Sequence, residues 1–385
     1  MNDVELMTRQ ERLQELQTAT KHRTETLGSW AVPVLTAFLL CAIIAAVALG
    51  SVTISAEQVL AVLSAKLTGS VVPESVPPAM TDIIWDIRIP RVILAALVGA
   101  GLALSGAIMQ ASVQNPLAEP FILGIASGAS VGAVVAILLG HLLGVANVGV
   151  PLWAFGGAIV ATLAVLALAG MGRRISTVKL VLAGAVVSAL CTALSNFIIY
   201  MAGDAEGMQS AAFWTMGSLA DAKWSMLGWP ALVVGCMTVY FLSQVRALDA
   251  LLLGEEMAVT LGINATRKRY IYMACMALLT GVLVSQCGII GFVGLVIPHM
   301  SRAFVGVGHK RLLPVVVLGG AIFLVLADLL SRVLLPAGDL RVIGQKVCVK
   351  SAVNLDRYWV YSTFIFFDKD KGWTKSVCKN MREPT

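Results

Sequence analysis

The sequence predicts an all-α fold, a polytopic membrane helical bundle, and three observations carry that prediction. Hydrophobic residues make up 58% of the 385 and charged residues only 13%, against about a quarter charged in soluble domains. Apolar runs close to the roughly 20 residues that a helix needs to cross a 30 Å hydrocarbon core recur along the chain. Glycine at 35 positions, with few aromatics, fits helices rather than a β-barrel, whose strands alternate apolar and polar residues.

In order, the runs fall at about 30–50, 92–111, 121–142, 150–171, 179–201, 227–244, 270–286, 288–301 and 312–336, which makes nine, two of them short. Residues 1–29 form a polar tail of mixed charge, expected in the cytosol. The run after it is too long for a cleaved signal peptide, so it reads as a retained first span. "QNPLAEP" (114–120) parts the second and third runs with two prolines, each denying a backbone donor to a continuing helix. It reads as a compact inner-side turn that Asn115 can cap. Gly124, Gly128 and Gly132 recur every four residues, and Gly288, Gly291 and Gly294 every three. Both sets read as small faces for close helix packing, ahead of a wide pore lining. In the last run Asp328 and Arg332 are spaced so that one helical face can pair them.

Orientation follows from the positive charges. With a cytosolic N-terminus, the inside loops hold Arg173, Arg174, Lys179, Arg246, Arg267, Lys268, Arg269, Arg302, Lys310 and Arg311. The outside loops hold fewer: Lys66, Arg88, Arg91, Lys223 and Arg332. The acidic stretch "LLLGEEMAVTLGIN" (251–264) then lies inside. Gly254 can interrupt a helix, Glu255 and Glu256 can accept hydrogen bonds or face basic groups of a partner, and Met257, Ala258 and Leu261 supply an apolar patch. A helix lying on the membrane surface would favour Lys and Arg where this one shows glutamate.

Several classes of chemistry are excluded or disfavoured. No G-x-x-x-x-G-K-[ST] phosphate loop occurs, so the chain is not expected to hydrolyse ATP; it reads as no enzyme, with no catalytic residues and no cofactor. The spans lack the Asp, Glu or His relay of a proton-coupled pump, which disfavours a secondary transporter or channel. His22, His141, His299 and His309 have no metal-ligand spacing and read as solvated or capping residues; the seven cysteines form no C-x-x-C pair, and no metal site is expected.

The segments "DIRIPRVILAALVGAGLALSGAIMQASVQNPLAEPFILGIASGASVGA" (86–133), "LLLGEEMAVTLGIN", "GIIGFVGLVIPHMSR" (288–302) and "ADLLSR" (327–332) resemble the permease subunits of type II ABC importers for iron-siderophores, haem or vitamin B12, the FecCD/BtuC-like family. The likeness runs from about residue 30 to 340 and implies a ten-helix permease of the bacterial inner membrane. Its partners would be two ATP-binding subunits inside, a substrate-binding protein outside, a second permease copy or close paralogue, and membrane lipid, with no nucleic acid. The loop at about 249–265 resembles the family's coupling helix, making Gly254, Glu255, Glu256, Met257, Ala258, Leu261 and Gly262 the expected ATPase contact. Arg88, Arg91 and Arg332 match positions where the B12 importer's permease meets acidic residues of its binding protein, with snorkelling anchors as the alternative. Asn115, Leu117, Ser176 and Thr177 resemble the cytosolic gate. The expected cargo is a metal chelate, iron-siderophore or haem ahead of cobalamin.

After "LLPAGDL" the family pattern stops, where a tenth helix is expected. Residues 341–385 instead carry nine Lys or Arg against four Asp or Glu, and no apolar run long enough to span. This atypical basic tail reads as a frameshift or sequencing artefact, against a native membrane-surface or partner-binding appendage.

Overall fold

A computed structural model describes residues 30–50, 54–73, 76–140, 149–170, 177–203 and 205–334, with 367–368 and 372–373 beyond them. The N-terminal tail, Ser176 and the question of a tenth helix after residue 340 lie outside the described residues.

The long unit is helical. Its elements are α1 (Trp30–Ala48), α2 (Ala56–Thr68), α3 (Pro78–Asp82), α4 (Ile89–Val113), α5 (Ile125–Val134), α6 (Val150–Gly170), α7 (Thr177–Ala202), α8 (Ala205–Met216), α9 (Gly228–Ser243), α10 (Val245–Leu252), α11 (Glu255–Thr260), α12 (Ala265–Cys287), α13 (Val293–Val305) and α14 (His309–Leu334). Among the described residues seven helical stretches are long and apolar enough to cross a membrane, and Ile125–Leu139 and Val293–Val305 are shorter apolar helices. Among the described residues this matches the nine expected runs, with one exchange: 270–286 extends to Ala265–Cys287, while 121–142 shrinks to the short helix. Hydropathy did not single out α2, which is set by its termini. Ser55 and Gln58 cap each other reciprocally at 3.3 Å, and Gly69 ends the helix in the left-handed region at φ 69°.

The core is built around α4, almost every residue of which is buried. Small residues explain how. A Cβ at Gly99 would stand 2.1 Å from the Gly320 carbonyl oxygen of α14, and one at Gly106 would stand 1.8 Å from that of Gly294 on α13. Neither backbone could approach α4 so closely past a larger side chain. Ser105 and Thr280 add a buried hydroxyl contact at 3.1 Å between α4 and α12. Gly128 meets Gly157 of α6 in the same manner, and Gly132 meets the Trp153 backbone, as the small-face reading expects. Gly124, Gly288 and Gly291 lie outside that pattern. Gly124 ends the short 3-10 turn Pro120–Leu123 at φ 71°, and Gly288 (φ 72°) and Gly291 lie in the connection between α12 and α13.

Helix α3 continues into α4 through a π-helical stretch, Ile83–Arg88, giving one helical run from Pro78 to Val113. Pro90 accounts for it: without an N–H, proline cannot close the regular bond at its position, and a wider turn relieves its ring. The turn carries Arg88 inward, where it is 5% exposed.

In the second unit, Phe367–Asp368 pairs antiparallel with Gly372–Trp373.

Candidate functional site

The acidic turn and the three arginines lie at opposite ends of α4. Arg88 immediately precedes α4, and at its other end Gln114, in the left-handed region at φ 55°, donates from Nε2 to the Leu251 carbonyl at 2.6 Å. A helix of 25 residues separates them by about 37 Å.

At the Gln114 end, Gly254 adopts φ 109° and ψ 163°, a conformation that L side chains rarely adopt, and so turns the chain sharply from α10 into α11. Glu255 and Glu256 occupy the first turn of α11, where carboxylates complement the positive helix end. Arg269 of α12 braces this turn. Its Nη1 donates to Glu255 Oε2 at 3.1 Å and its Nε to the Ser112 carbonyl at 3.0 Å, tying the acidic turn to the last carbonyls of α4. Glu255 therefore belongs to an internal brace, while Glu256 is exposed. Met257 and Leu261 are 50% and 59% exposed, as the apolar patch requires. Ala258 is the exception: it is wholly buried, and Leu253 and Val259, 64% and 60% exposed, extend the patch in its place. Gly262 (φ 76°) closes the turn, and Asn264 caps α12 by accepting from the Arg267 N–H at 2.9 Å.

Beside the turn, Asp249 of α10 reaches the start of α14. Its Oδ1 accepts from the His309 backbone N–H at 2.9 Å and lies 2.7 Å from His309 Nδ1. Partial burial works to raise the Asp249 carboxyl, and the His309 hydrogen bonds and charge outweigh it, holding the group below its ordinary value. His309 is fully buried and its N–H is capped by Asp249, so it is neither solvated nor itself the cap.

Of the residues expected at the gate, Asn115 accepts from the Leu117 N–H at 2.9 Å, closing the turn after α4, and Leu117 is 71% exposed. Thr177 opens α7. Glu119 of the same turn accepts from the Phe292 N–H at 2.8 Å and thereby holds Phe292 in the left-handed region (φ 69°) at the start of α13.

At the opposite end two of the three arginines grip the end of α1, and the third, Arg91, pairs with Asp328. Arg88 donates to the Val47 and Ala48 carbonyls at 2.7 and 2.9 Å, and Arg332 donates to Ala46 at 2.9 Å. These carbonyls lie at the end of α1, where intrahelical donors run out and the helix dipole is negative. Asp328, 1% exposed, receives Arg91 at 2.7 Å and Arg332 at 3.1 Å, so the expected pair within the last run forms. The arginines thus serve the bundle itself. Arg91 is the most accessible, with 19% of its side chain exposed.

Sequence reading missed Arg269, Gln114, Asp249 and His309. Arg269 sat in a basic cluster read only as a topology signal, and Asp249 and His309 are 60 positions apart, with no local spacing to join them. Among the described residues no cluster of ligating side chains could hold a metal ion.

The model of the FecCD transport family matches residues 38–344. The chain is 40% identical over 259 residues to the cobalamin import system permease protein BtuC of Halobacterium salinarum, covering 67% of this chain and 68% of that protein. It is 40% identical over 262 residues to the uncharacterized ABC transporter permease protein YvrB of Bacillus subtilis, covering 67% and 73%. Against the vitamin B12 import system permease protein BtuC of Escherichia coli O157:H7 it is 39% identical over 257 residues, covering 67% and 77%. A solved structure described as an inward-facing, metal-chelate type ABC transporter superposes with a TM-score of 0.69 at 30% identity, covering 83% of this chain and 94% of that one.

Proposed function

The chain belongs to the FecCD transport family, as a multi-pass ABC importer permease of the inner membrane that is not itself an enzyme, and from that membership we propose that it carries cobalamin. The observation behind the cargo is the likeness, over two thirds of the chain, to permeases named for cobalamin and vitamin B12 import. An iron-siderophore or haem, the cargo expected from sequence, is the second reading, favoured by the superposition on a metal-chelate type transporter. Uptake of labelled cyanocobalamin, ferrichrome and haem in proteoliposomes holding the permease, its ATPase and its binding protein separates the two. Saturable ATP-dependent uptake of cyanocobalamin alone supports the first, and uptake only of an iron compound overturns it.

Permeases of this class work with ATPase subunits and a permease partner, and the acidic turn is the part of this chain suited to receive the ATPase. Leu253, Met257 and Leu261 are exposed around the turn and together supply apolar surface, with exposed Glu256 among them to meet a basic group. The Arg269 brace makes the turn a rigid handle, so that a push on α11 is delivered to α4 and α12. Alternating access then follows if nucleotide-driven closure of the ATPase pair favours one arrangement of the helices over the other. Asn115, Leu117, Ser176 and Thr177 serve the cytosolic gate in this reading. A binding protein meets the opposite end, with Arg91 the arginine best placed to face an acidic partner while Arg88 and Arg332 hold α1.

A further inference from the structure

The joint between Asp249 and His309 lies beside the turn assigned to the ATPase, and it has the geometry of a mechanical link. His309 is the first residue of α14, whose first N–H groups have no partners within their own helix. The cap comes from another helix: the Asp249 carboxylate, on α10, takes the His309 N–H. An ionised carboxylate only accepts, so the 2.7 Å contact with the ring requires the proton on Nδ1, and one oxygen receives both donors. His309 is fully buried, which leaves its ring no room to swing away if α10 moves.

From this joint α14 runs 26 residues, about 39 Å, toward the far end. Its backbone rests against α4 at Gly320 and Gly99, and near its other end Asp328 and Arg332 grip Arg91 and the last carbonyls of α1. Helix α14 is therefore anchored at one end to the arm that carries the acidic turn and at the other to the arginine cluster.

We propose that Asp249 is a positioning residue that passes displacement of the α10–α11 arm to α14, and through it to the arginine cluster and the end of α1. The proposal rests on the ATPase-coupling reading of the acidic turn. Its test uses the complete complex and needs no knowledge of the cargo. Spin labels at Leu330, on the far part of α14, and at Leu67 of α2, 43% and 76% exposed, report their separation before and after trapping with ATP and vanadate. The wild-type distance is expected to shift by roughly 1–5 Å. In Asp249→Ala the shift is lost although the permease still co-purifies with an ATPase that hydrolyses ATP, and Asp249→Asn, whose amide oxygen can still accept, restores most of it. Should Asp249→Ala fail to fold, Asp249→Asn and His309→Gln are compared instead, the second losing the shift and the first keeping it. An unchanged shift in Asp249→Ala, or in His309→Gln where that substitutes, overturns the proposal, as does a wild type that shows none. Loss of co-purification and hydrolysis in Asp249→Ala also overturns it, by making Asp249 part of the docking surface. A wild type that never binds the ATPase removes the coupling reading itself, a failure distinct from all of these.

Discussion

Arg269 holds Glu255 at 3.1 Å from 14 positions further along the chain, and with the same guanidinium caps the Ser112 carbonyl at the end of α4. One side chain thus fastens three elements, and Arg269→Ala frees a buried carbonyl as well as a carboxylate. The expected cost is about 1–3 kcal/mol, seen as a lower midpoint in a thermal melt of the purified permease. Arg269→Lys recovers only part of it, because an ammonium cannot reproduce the planar fork. Equal stability of all three proteins would show that the brace is incidental.

The exposed apolar surface separates binding from folding. Met257→Asp and Leu261→Asp place charges on an apolar surface that the permease alone does not bury, so each is expected to leave its elution profile unchanged while abolishing co-elution with the ATPase. Ala258→Leu should do the reverse in origin: overpacking a buried site costs about 1–3 kcal/mol, so it lowers the melting midpoint first.

Packing of α4 predicts a sharp contrast among glycines. At Gly106 an added Cβ would lie 1.8 Å from a backbone oxygen, whereas at Gly156 it would meet nothing within 4 Å. Gly106→Ala is expected to lose about 3 kcal/mol or more, or the fold altogether, since a backbone rather than a side chain must give way. Gly156→Ala should be neutral or slightly stabilising by helix propensity. The comparison is read from folded yield and melting midpoint.

Asp328 is the carboxylate partner of Arg91 and Arg332 in a buried setting. Asp328→Asn keeps the shape and removes the charge, leaving two guanidinium groups without that counter-ion, for an expected loss of about 3–5 kcal/mol. In Arg88→Met the end of α1 loses two hydrogen bonds. A cysteine at Leu49, in a cysteine-free background, is then expected to react faster with a maleimide reagent, and an unchanged rate would deny Arg88 its capping role.

What the sequence made legible was whatever hydropathy and short motifs encode. The apolar runs gave the helices, the small-residue spacing at Gly128 and Gly132 gave a true contact face, and the "GEE" stretch gave an exposed turn. What stayed hidden depends on contacts between distant positions. The direction in which Ala258 points is set by packing against the bundle, and a six-residue helix is too short for its pattern to reveal that. Arg88, Arg91 and Arg332 were recognised as a set, yet the grip of Arg88 and Arg332 on the end of α1 appears only once the π-helical turn before Pro90 carries Arg88 inward. Asp249 and His309 carried no motif, because a cap supplied by another helix leaves no trace in local spacing.

In the proposed mechanism, ATP hydrolysed by a partner drives transport through the acidic turn. That mechanism is tested most directly by uptake of labelled cyanocobalamin into proteoliposomes holding permease, ATPase and binding protein, comparing wild type with the double variant Glu256→Lys, Met257→Asp. ATP-dependent uptake is expected in the wild type, and in the variant a correctly folded permease with neither uptake nor bound ATPase. Uptake that persists without ATP, or a variant that transports and binds the ATPase as the wild type does, would contradict it.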